Sequence, residues 1–390
     1  MKRREFCRHI AILGGTVVLA PLVKGCTPYV DPTATSESGP QAVPSPTAGA
    51  TQRPTRTPLP TGTAKIDPTH TPEPAPGDTP QPAATTTASV TPVASAASVA
   101  LVKTTNRAEG VRRAIELFGL NPVRGSRVLL KPNYNSADPA PGSTHHETMQ
   151  SLVLQLNELG ARSITVGERS GMGATREVLE QMGVFSLGDE LGFDTVVFDE
   201  MEDRDWILRQ SADFHWQSGF AVPRILLDSE CVVQICNLKT HRYGGHFTMS
   251  LKNGVGFAAS KLGSKDYMNE LHNSSYQRQM IAEINTAYSP SLIVMDGVEA
   301  FVDGGPARGT VVSPSVVLAG NDPIAIDAVG VAILRLFGTT PEVSRGTIFQ
   351  QEQIARAVEL GLGIDSPERI NLITADPESE GYANQIRQFL

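Results

Sequence analysis

Cysteine is scarce in this 390-residue chain, and its scarcity excludes several kinds of site. Two cysteines, Cys7 and Cys26, lie near the start, and the other two are Cys231 and Cys236. Because Cys231 and Cys236 are five positions apart on a predicted strand, their side chains point to opposite faces, so they are not expected to pair with each other. Two cysteines cannot form a four-cysteine metal site alone. We therefore expect two buried, unreactive thiols and no disulfide framework.

Positive charge is not in excess either. The formal net charge is -8 and the isoelectric point is about 5.6. Domains that bind nucleic acid are usually basic, with Lys and Arg clustered on one face. We therefore expect no nucleic acid among the partners. The sequence also shows no heptad run and no internal repeat, which argues against coiled coils and solenoids.

The first 26 residues resemble an export signal. Arg3 and Arg4 form a twin-arginine pair, Phe6 follows, and an apolar run extends from residue 10 to residue 23. This run is shorter than the about 20 apolar residues that a membrane-spanning helix needs. The pattern predicts a twin-arginine signal, which directs the export of folded proteins. A short N-terminal anchor helix is the alternative.

Cys26 comes directly after this run, in the stretch LVKGC. The stretch resembles the cleavage box of a bacterial lipoprotein, with Gly25 before the cysteine that receives the lipid. Lys24 departs from that pattern, in which a small uncharged residue is usual at this position. The departure argues against lipidation of Cys26 but not against export. We expect an exported protein that is held at the cell membrane through its signal or its lipid and faces outside the cytoplasm.

Residues 27–98 have a composition of their own. Pro, Thr, Ala and Ser dominate this segment, and its only aromatic residue is Tyr29. A segment of this composition cannot bury enough apolar surface to offset the entropy lost on ordering. We predict a disordered, partly polyproline tether between the signal and a folded domain.

Residues 99–390 alternate between helical patterns and short apolar runs. Helical spacing is clear in RAEGVRRAIELFG and DPIAIDAVGVAILRLFG, and SRVLLK, RILL, CVVQIC and SLIVMDG are predicted strands. Continuous apolar strands between helices indicate a largely parallel sheet with helices on both faces. The predicted fold class is α/β, as one large domain with or without a subdomain.

Polar side chains follow several predicted strands at the point where each strand ends. In open α/β sheets, ligands bind beyond the carboxyl ends of the strands, so these side chains are expected to line one crevice. Lysine ammonium groups act as point charges on carboxylate or phosphate, which predicts a small anionic ligand. Ordinary solvated loops are the alternative. The predicted substrate-binding residues are Lys131, Asn133, Asn237, Lys239, Lys252, Asn253 and Asp296.

The stretch NLKTHRYGGHFTMSLKNG, residues 237–254, holds two histidines, two lysines, one arginine and no acid. Its glycines would let the chain fold back, so that Lys239 and Lys252 converge. Histidine titrates near neutrality, as acid–base catalysis requires. The predicted catalytic residues are His241, His272 and Glu168.

A divalent metal is left open, with His241, His246 and His272 as candidate ligands, although no strict ligand spacing is present.

Two further aspartates have structural explanations. Asp322 precedes a predicted helix and is expected to cap its amides. Asp327 lies inside the same, otherwise apolar helix, and a buried carboxylate needs a partner. A lysine of the site is a candidate for that partner.

The stretches LLKPNYN, CNLKTH, MSLKNGVG, NELH, MDGVEAFVDGGPARG and NDPIAIDAV occur in this order along the chain. Together they resemble the successive motifs of the domain of unknown function 362 family, over about residues 99–390. The resemblance implies an α/β domain but no settled activity. Some members of the family carry ferredoxin-type cysteine runs. This sequence has none, so no iron–sulfur cluster is expected.

Two functional hypotheses follow. The first is an exported enzyme that acts on a small anionic substrate through Lys/His electrostatic and acid–base catalysis. The second is a lipoprotein that binds an anionic ligand without chemistry. The mixture of lysine, histidine and carboxylate side chains favours the enzyme.

Overall fold

The computed structural model describes residues 96–390. The predicted export signal, Cys26 and residues 27–95 of the predicted tether lie outside the described residues. Strand β1 begins at Ala97, two positions before the expected start of the domain. In the part of the chain that the structure describes, no helix is both long and apolar enough to cross a membrane.

Strands and helices alternate along most of residues 96–390. The strands are β1 (Ala97–Lys103), β2 (Arg127–Lys131), β3 (Ser163–Glu168), β4 (Asp194–Val197), β5 (Trp206–Arg209), β6 (Phe220–Pro223), β7 (Cys231–His241), β8 (His246–Thr248), β9 (Lys261–Leu262), β10 (Lys265–Asp266), β11 (Leu292–Gly304), β12 (Gly309–Val312), β13 (Val316–Gly320) and β14 (Ile370–Ile373). The helices are α1 (Arg107–Phe118), α2 (His146–Glu158), α3 (Thr175–Gln181), α4 (Val184–Leu191), α5 (Arg224–Asp228), α6 (Ser250–Asn253), α7 (Tyr267–Asn273), α8 (Gln277–Ile284), α9 (Pro323–Leu336), α10 (Pro341–Ser344), α11 (Glu352–Glu359) and α12 (Pro377–Arg387).

The main sheet confirms the α/β prediction. Its strands lie in the order β14-β1-β13-β11-β7-β2-β3-β4. Five of the seven pairings in this order are parallel, and the two that involve β13 with β1 and β11 are antiparallel. β12 and β8 extend β11 and β7 as hairpin partners. The parallel run β11-β7-β2-β3-β4 brings the carboxyl ends of its strands to the same edge.

Both faces of the sheet are covered by apolar side chains, as expected for a sheet with helices on both sides. Alternation along β1 sends Val99 and Leu101 into one hydrophobic cluster with α9 and α12. It sends Ala100 and Val102 into another cluster with α1 and α2. A third cluster, built around the β5–β6 hairpin and α8, lies beside the first.

The two cysteines of the domain are buried and free, as predicted. Cys236 belongs to the cluster with α9, and Cys231 belongs to the cluster with α1. They therefore lie on opposite faces of β7, and burial raises the thiol pKa of both.

One predicted strand is wrong. The stretch RILL forms part of helix α5, which begins directly after Pro223. Only Leu226 of this helix is buried. Three consecutive apolar residues after an arginine carry no periodicity that distinguishes a strand from one turn of a helix, so the prediction rested on hydrophobicity alone.

Candidate functional site

The glycine-containing stretch from residue 237 to residue 254 is more regular than a loop. The predicted strand ends at Cys236, but β7 continues to His241, where the chain turns back into β8. Lys239 pairs with Thr248 across this hairpin, and Gly244 adopts a φ of 78° in its turn. Helix α6 follows and carries Lys252. Lys239 and Lys252 are thus brought together by a hairpin and a single helical turn.

An inner pocket of about 40 Å³ lies at the carboxyl ends of β2, β3 and β7. It adjoins an outer cleft of about 1390 Å³, because both are lined by Asn135, Arg169, His241 and Lys252. A cavity holds a water molecule once it offers about 10–15 Å³, so the inner pocket has room for a group the size of a carboxylate. The polar residues that line it are Lys131, Asn133, Asn135, Glu168, Arg169, Lys239, His241, Thr248, Lys252 and Asn253.

Lys131 and Glu168 form a buried ion pair at the floor of this pocket. Lys131 Nζ lies 2.5 Å from Glu168 Oε1, and each side chain is at most 2% exposed. Glu168 also accepts hydrogen bonds from the backbone N–H groups of Tyr134 and Arg169, both at 2.9 Å. Burial lowers the pKa of Lys131, and the charge of Glu168 opposes that effect. Three donors thus hold Glu168, and its carboxylate fixes Lys131 in place.

Two asparagines connect Lys131 to Lys239. Asn133 accepts a hydrogen bond from Lys239 Nζ at 2.8 Å and donates one to Asn253 at 3.3 Å. Asn253 also accepts a 3.5 Å contact from Lys131. Lys239 donates a second hydrogen bond, to the carbonyl of Gly142. Burial and the charge of Lys252 lower the pKa of Lys239 to about 7.

Lys252 differs from the other cations of the pocket because, within residues 96–390, its ammonium group has no hydrogen-bond acceptor and no carboxylate partner. Burial and the nearby charge of Arg169 lower its pKa to about 8. The space around it depends on Gly245, since a Cβ there would lie 2.5 Å from Lys252 Cε and 3.0 Å from His241 Nδ1. Lys252 therefore presents its full set of donors to the pocket.

Three more polar atoms at the pocket are buried without a partner among the described residues. They are Asn135 Nδ2, His241 Nδ1 and Thr248 Oγ1. A buried polar group without a hydrogen bond costs free energy, and such groups are rare in folded proteins. The amide and the hydroxyl can both donate. Together with Lys252 they form a set of donors that an anion would satisfy.

Arg169 adds a fourth positive charge, although its guanidinium is engaged. It donates to the carbonyls of Ala258 at 2.7 Å, Val255 at 2.8 Å and Ser170 at 3.2 Å. No carboxylate of the described residues pairs with it directly. The side chain therefore holds the segment after α6 against β3, and its charge acts on the pocket.

The two predicted catalytic histidines lie in different surroundings. His241 is buried in the inner pocket, where desolvation and the charges of Lys252 and Lys239 hold its pKa well below the usual value. Its imidazole is neutral at pH 7. His272 is exposed on α7 and lines the outer cleft, with Nδ1 2.7 Å from the carbonyl oxygen of Met268. Partial desolvation at the cleft lowers the pKa of His272.

Three other predicted site residues do not line the inner pocket or the outer cleft. Asn237 donates to the carbonyls of residues 141 and 143, at 3.0 and 2.8 Å. Asp296 accepts from Arg107 Nε at 2.9 Å and from Thr148 Oγ1 at 2.6 Å. His246 lines a separate pocket of about 340 Å³ beside Asp303. The structure thus gives Asn237 and Asp296 partners within the fold.

The aspartates of α9 behave differently from each other. Asp322 caps the helix, as predicted, by accepting from the N–H of Ala325 at 2.8 Å. Asp327 has partners, as expected, but the candidate lysine is not among them. Asp327 accepts from the N–H groups of Ser250 and Leu251, at 2.7 and 3.2 Å, so it anchors the start of α6. Burial raises its pKa to about 8.

The residues around the pocket do not suit a bare metal cation. Within residues 96–390, no group of three or more His, Cys, Asp or Glu side chains could hold a metal ion. His241 lines the outer cleft with His272 and the pocket beside Asp303 with His246, but His246 and His272 line no common pocket, so the three histidines do not converge. The lysines of the inner pocket would also repel a cation.

Three pocket residues were missed by the sequence analysis. Arg169 directly follows Glu168 at a strand end, and Asn135 belongs to the stretch LLKPNYN, so both carried a usable signal. Thr248 carried none beyond its place in the hairpin segment. Its position depends on the register of β8 against β7, which the sequence does not reveal.

Fold and site together define an α/β domain with a cationic pocket at the carboxyl ends of its parallel strands. The chain belongs to the family described as a domain of unknown function (DUF362), which matches residues 128–332 and confirms the resemblance of the motifs. The thylakoid-associated protein sll1697 of Synechocystis sp. is 26% identical over 215 residues. That match covers 54% of this chain and 64% of the relative, less than two thirds of its length.

A solved structure is also similar to this chain. The lactate racemase apoprotein from Thermoanaerobacterium thermosaccharolyticum has a TM-score of 0.36 and 12% sequence identity. The similarity covers 76% of this chain and 87% of that chain. A likeness at this level says nothing about activity.

Proposed function

We propose that the domain is an enzyme that binds a small anionic substrate in the inner pocket and transfers protons to or from it through Lys252 and His241. One observation carries the proposal. The unpaired ammonium of Lys252 lies in the same pocket as the unpartnered buried atoms of Asn135, His241 and Thr248. A carboxylate or phosphate oxygen would accept from the ammonium, the amide and the hydroxyl at once.

The charges of the pocket support an anion. Lys131, Lys239, Lys252 and Arg169 contribute four positive groups, and Glu168 is the carboxylate among the residues that line the inner pocket. Burial, and after it the repulsion of neighbouring positive charges, lowers the pKa values of Lys239 and Lys252. An anion placed between these lysines relieves that repulsion.

The same lowered pKa values support chemistry beyond binding. General acid–base catalysis works best when the pKa of the group lies near the operating pH. A desolvated lysine beside another cation is also a recognised form of activated base or nucleophile. Lys252 has a pKa of about 8 and no internal partner among the described residues, and His241 is neutral and buried beside it. Binding without chemistry is the alternative, and it requires only the charge of Lys252.

The affinity for acetate is expected to fall as the pH rises through the pKa of Lys252. The lysine is charged below about 8 and neutral above it, so acetate loses its main electrostatic partner in alkaline solution. Above that pKa the affinity should fall by up to about tenfold per pH unit. Calorimetric titration from pH 6 to pH 9.5 measures this change, and acetate suits the purpose because it stays ionised throughout.

The control for this measurement is Lys252→Met, which should bind acetate weakly and lose the fall in affinity that begins near pH 8, so that the remaining pH dependence is that of Lys239. An affinity in the unaltered protein that is constant up to pH 9.5 would mean that Lys252 keeps an ordinary pKa. That result would contradict the acid–base role of Lys252 but would be consistent with an anion-binding site. No binding of acetate at any pH would contradict the proposed function itself.

We also propose that the protein is exported and held at the membrane. Arg3, Arg4 and Phe6, the apolar run and Cys26 support this, although all lie outside the described residues. Replacing Arg3 and Arg4 together by lysine is expected to keep most of the protein inside the cell, as fractionation and immunoblotting would show. Arg8→Lys is the matched control, and an unchanged exported fraction in the double variant would contradict the proposal.

A further inference from the structure

The outer cleft has a wall that differs in chemistry from the inner pocket. Helix α7 and the turn after it bring Asn269, Asn273, Ser274 and Ser275 to this cleft. These side chains are uncharged and polar. Hydroxyl groups of a ligand both donate and accept hydrogen bonds, and amide and hydroxyl side chains do the same.

Much of this hydrogen-bonding capacity is available to a ligand. Asn273 Nδ2 donates to Asn269 Oδ1 at 2.9 Å, which fixes the two amides relative to each other. The remaining atoms, Asn269 Nδ2 and Asn273 Oδ1, have no protein partner within residues 96–390. One is a donor and the other an acceptor. Ser275 is exposed and likewise unpaired among these residues.

An aromatic ring also lines the cleft. Tyr243, in the turn of the β7–β8 hairpin, is 51% exposed. Arg242 holds this ring, with its guanidinium 4.9 Å from the ring centroid and a 2.7 Å hydrogen bond to the phenol oxygen. A positioned, half-exposed aromatic ring suits the apolar C–H face of a sugar ring, while the amides suit its hydroxyl groups.

The carboxylates of the cleft do not favour a second charge on the ligand. Asp199 accepts from Thr175 at 2.5 Å, and Asp266 pairs with Lys261 at 3.1 Å. Arg169 and Lys252 both line the two cavities, but backbone carbonyls occupy the guanidinium of Arg169. Among the described residues, Lys252 is therefore the cation of both cavities whose charged group has no hydrogen-bond partner. A ligand that fits both cavities therefore has one anionic group for the inner pocket and an uncharged, hydroxyl-rich body for the cleft.

We propose that the substrate is a polyhydroxylated carboxylate, a sugar acid, with its carboxylate beside Lys252 and its hydroxyl groups against Asn269 and Asn273. This inference rests on the proposed function, because it takes the inner pocket as the anion site. The inner pocket of about 40 Å³ admits the carboxylate, and the cleft of about 1390 Å³ has ample room for the ring.

The test compares three carboxylates on the full chain by calorimetry: acetate, hexanoate and glucuronate. Glucuronate is expected to bind at least about tenfold more tightly than acetate, since two or more added hydrogen bonds each contribute a few-fold. It should also bind more tightly than hexanoate, which offers an apolar body of similar length.

A double variant, Tyr243→Ala with Asn273→Ala, is expected to bring the affinity for glucuronate to within about threefold of that for acetate, and to leave acetate binding unchanged. Asn371→Ala, an exposed asparagine on β14, is the control. Glucuronate that binds the unaltered protein no better than acetate, or hexanoate that binds best, would overturn the sugar-acid inference and leave the anion site intact. Failure of all three carboxylates to bind would overturn the anion site as well.

Discussion

Replacing Lys252 by methionine is expected to weaken acetate binding at pH 7 by about thirtyfold or more. Removing one member of a desolvated charge pair typically costs about 2–5 kcal/mol of binding free energy, and about 1.4 kcal/mol corresponds to a factor of ten. Among the described residues, the ammonium group of Lys252 is the one in the pocket without a hydrogen-bond acceptor. A bound anion would supply that acceptor. Calorimetric titration with acetate measures the loss.

The stability of the Lys252→Met variant should be unchanged or slightly raised. Methionine keeps most of the aliphatic volume and removes a partly buried charge that has no internal counter-charge in residues 96–390. The midpoint of thermal unfolding therefore distinguishes a binding role from a structural one. A marked fall in the unfolding temperature would mean that Lys252 supports the fold.

The matched control is Lys261→Met. Lys261 lines the outer cleft and is exposed, and its ammonium pairs with Asp266 at 3.1 Å. The Lys261→Met substitution also removes one positive charge from this cleft, but the exposed ion pair that it breaks contributes only about 0–1 kcal/mol of stability. Acetate binding should change by less than about threefold. Equal losses in the two variants would show that the net charge of the cleft, and not the position of Lys252, attracts the anion.

The strand ends were the part of the site that could be predicted from the sequence. Short apolar runs that end in Lys131, Glu168 and the residues after Cys236 identify the carboxyl ends of parallel strands, and these ends meet in the structure. The period-two pattern continues through Leu238, which joins the same hydrophobic cluster as Cys236, while its polar neighbours Asn237 and Lys239 are buried on the opposite face of β7. The glycines that follow obscure this continuation, so the sequence predicts a strand that ends at Cys236 and not the hairpin that the structure shows.

Partners far apart along the chain could not be predicted. Asp296 ends an apolar run, as other site residues do, but Arg107 and Thr148 reach it from helices at 189 and 148 positions away. A lysine of the site was a candidate partner for Asp327, but the carboxylate accepts hydrogen bonds from the backbone N–H groups of α6. Backbone donors carry no sequence signal. In both cases the tertiary arrangement, and not the local pattern, decides whether a carboxylate faces the pocket.

The Glu168→Gln variant is expected to lose about 3–5 kcal/mol of folding stability, because it leaves the ammonium of Lys131 buried without its counter-charge. The pair is 2.5 Å apart and at most 2% exposed, so solvent cannot replace the lost interaction. The unfolding entropy is about 2.1 cal/mol/K per residue, so in a domain of residues 96–390 each kcal/mol shifts the unfolding midpoint by about 1.6 °C. The midpoint should therefore fall by about 5 °C or more, which thermal unfolding followed by circular dichroism measures.

Two comparisons separate the ion pair from a general effect of the substitution. Glu116→Gln, which breaks an exposed pair with Arg112, should change the midpoint by about 1 °C or less. The double variant Lys131→Met with Glu168→Gln should regain part of the loss, because it removes the uncompensated charge that the single variant leaves behind. A double variant that is less stable than Glu168→Gln alone would show that Lys131 stabilises the fold mainly through its contacts with the carbonyl of Pro132 and with Asn253.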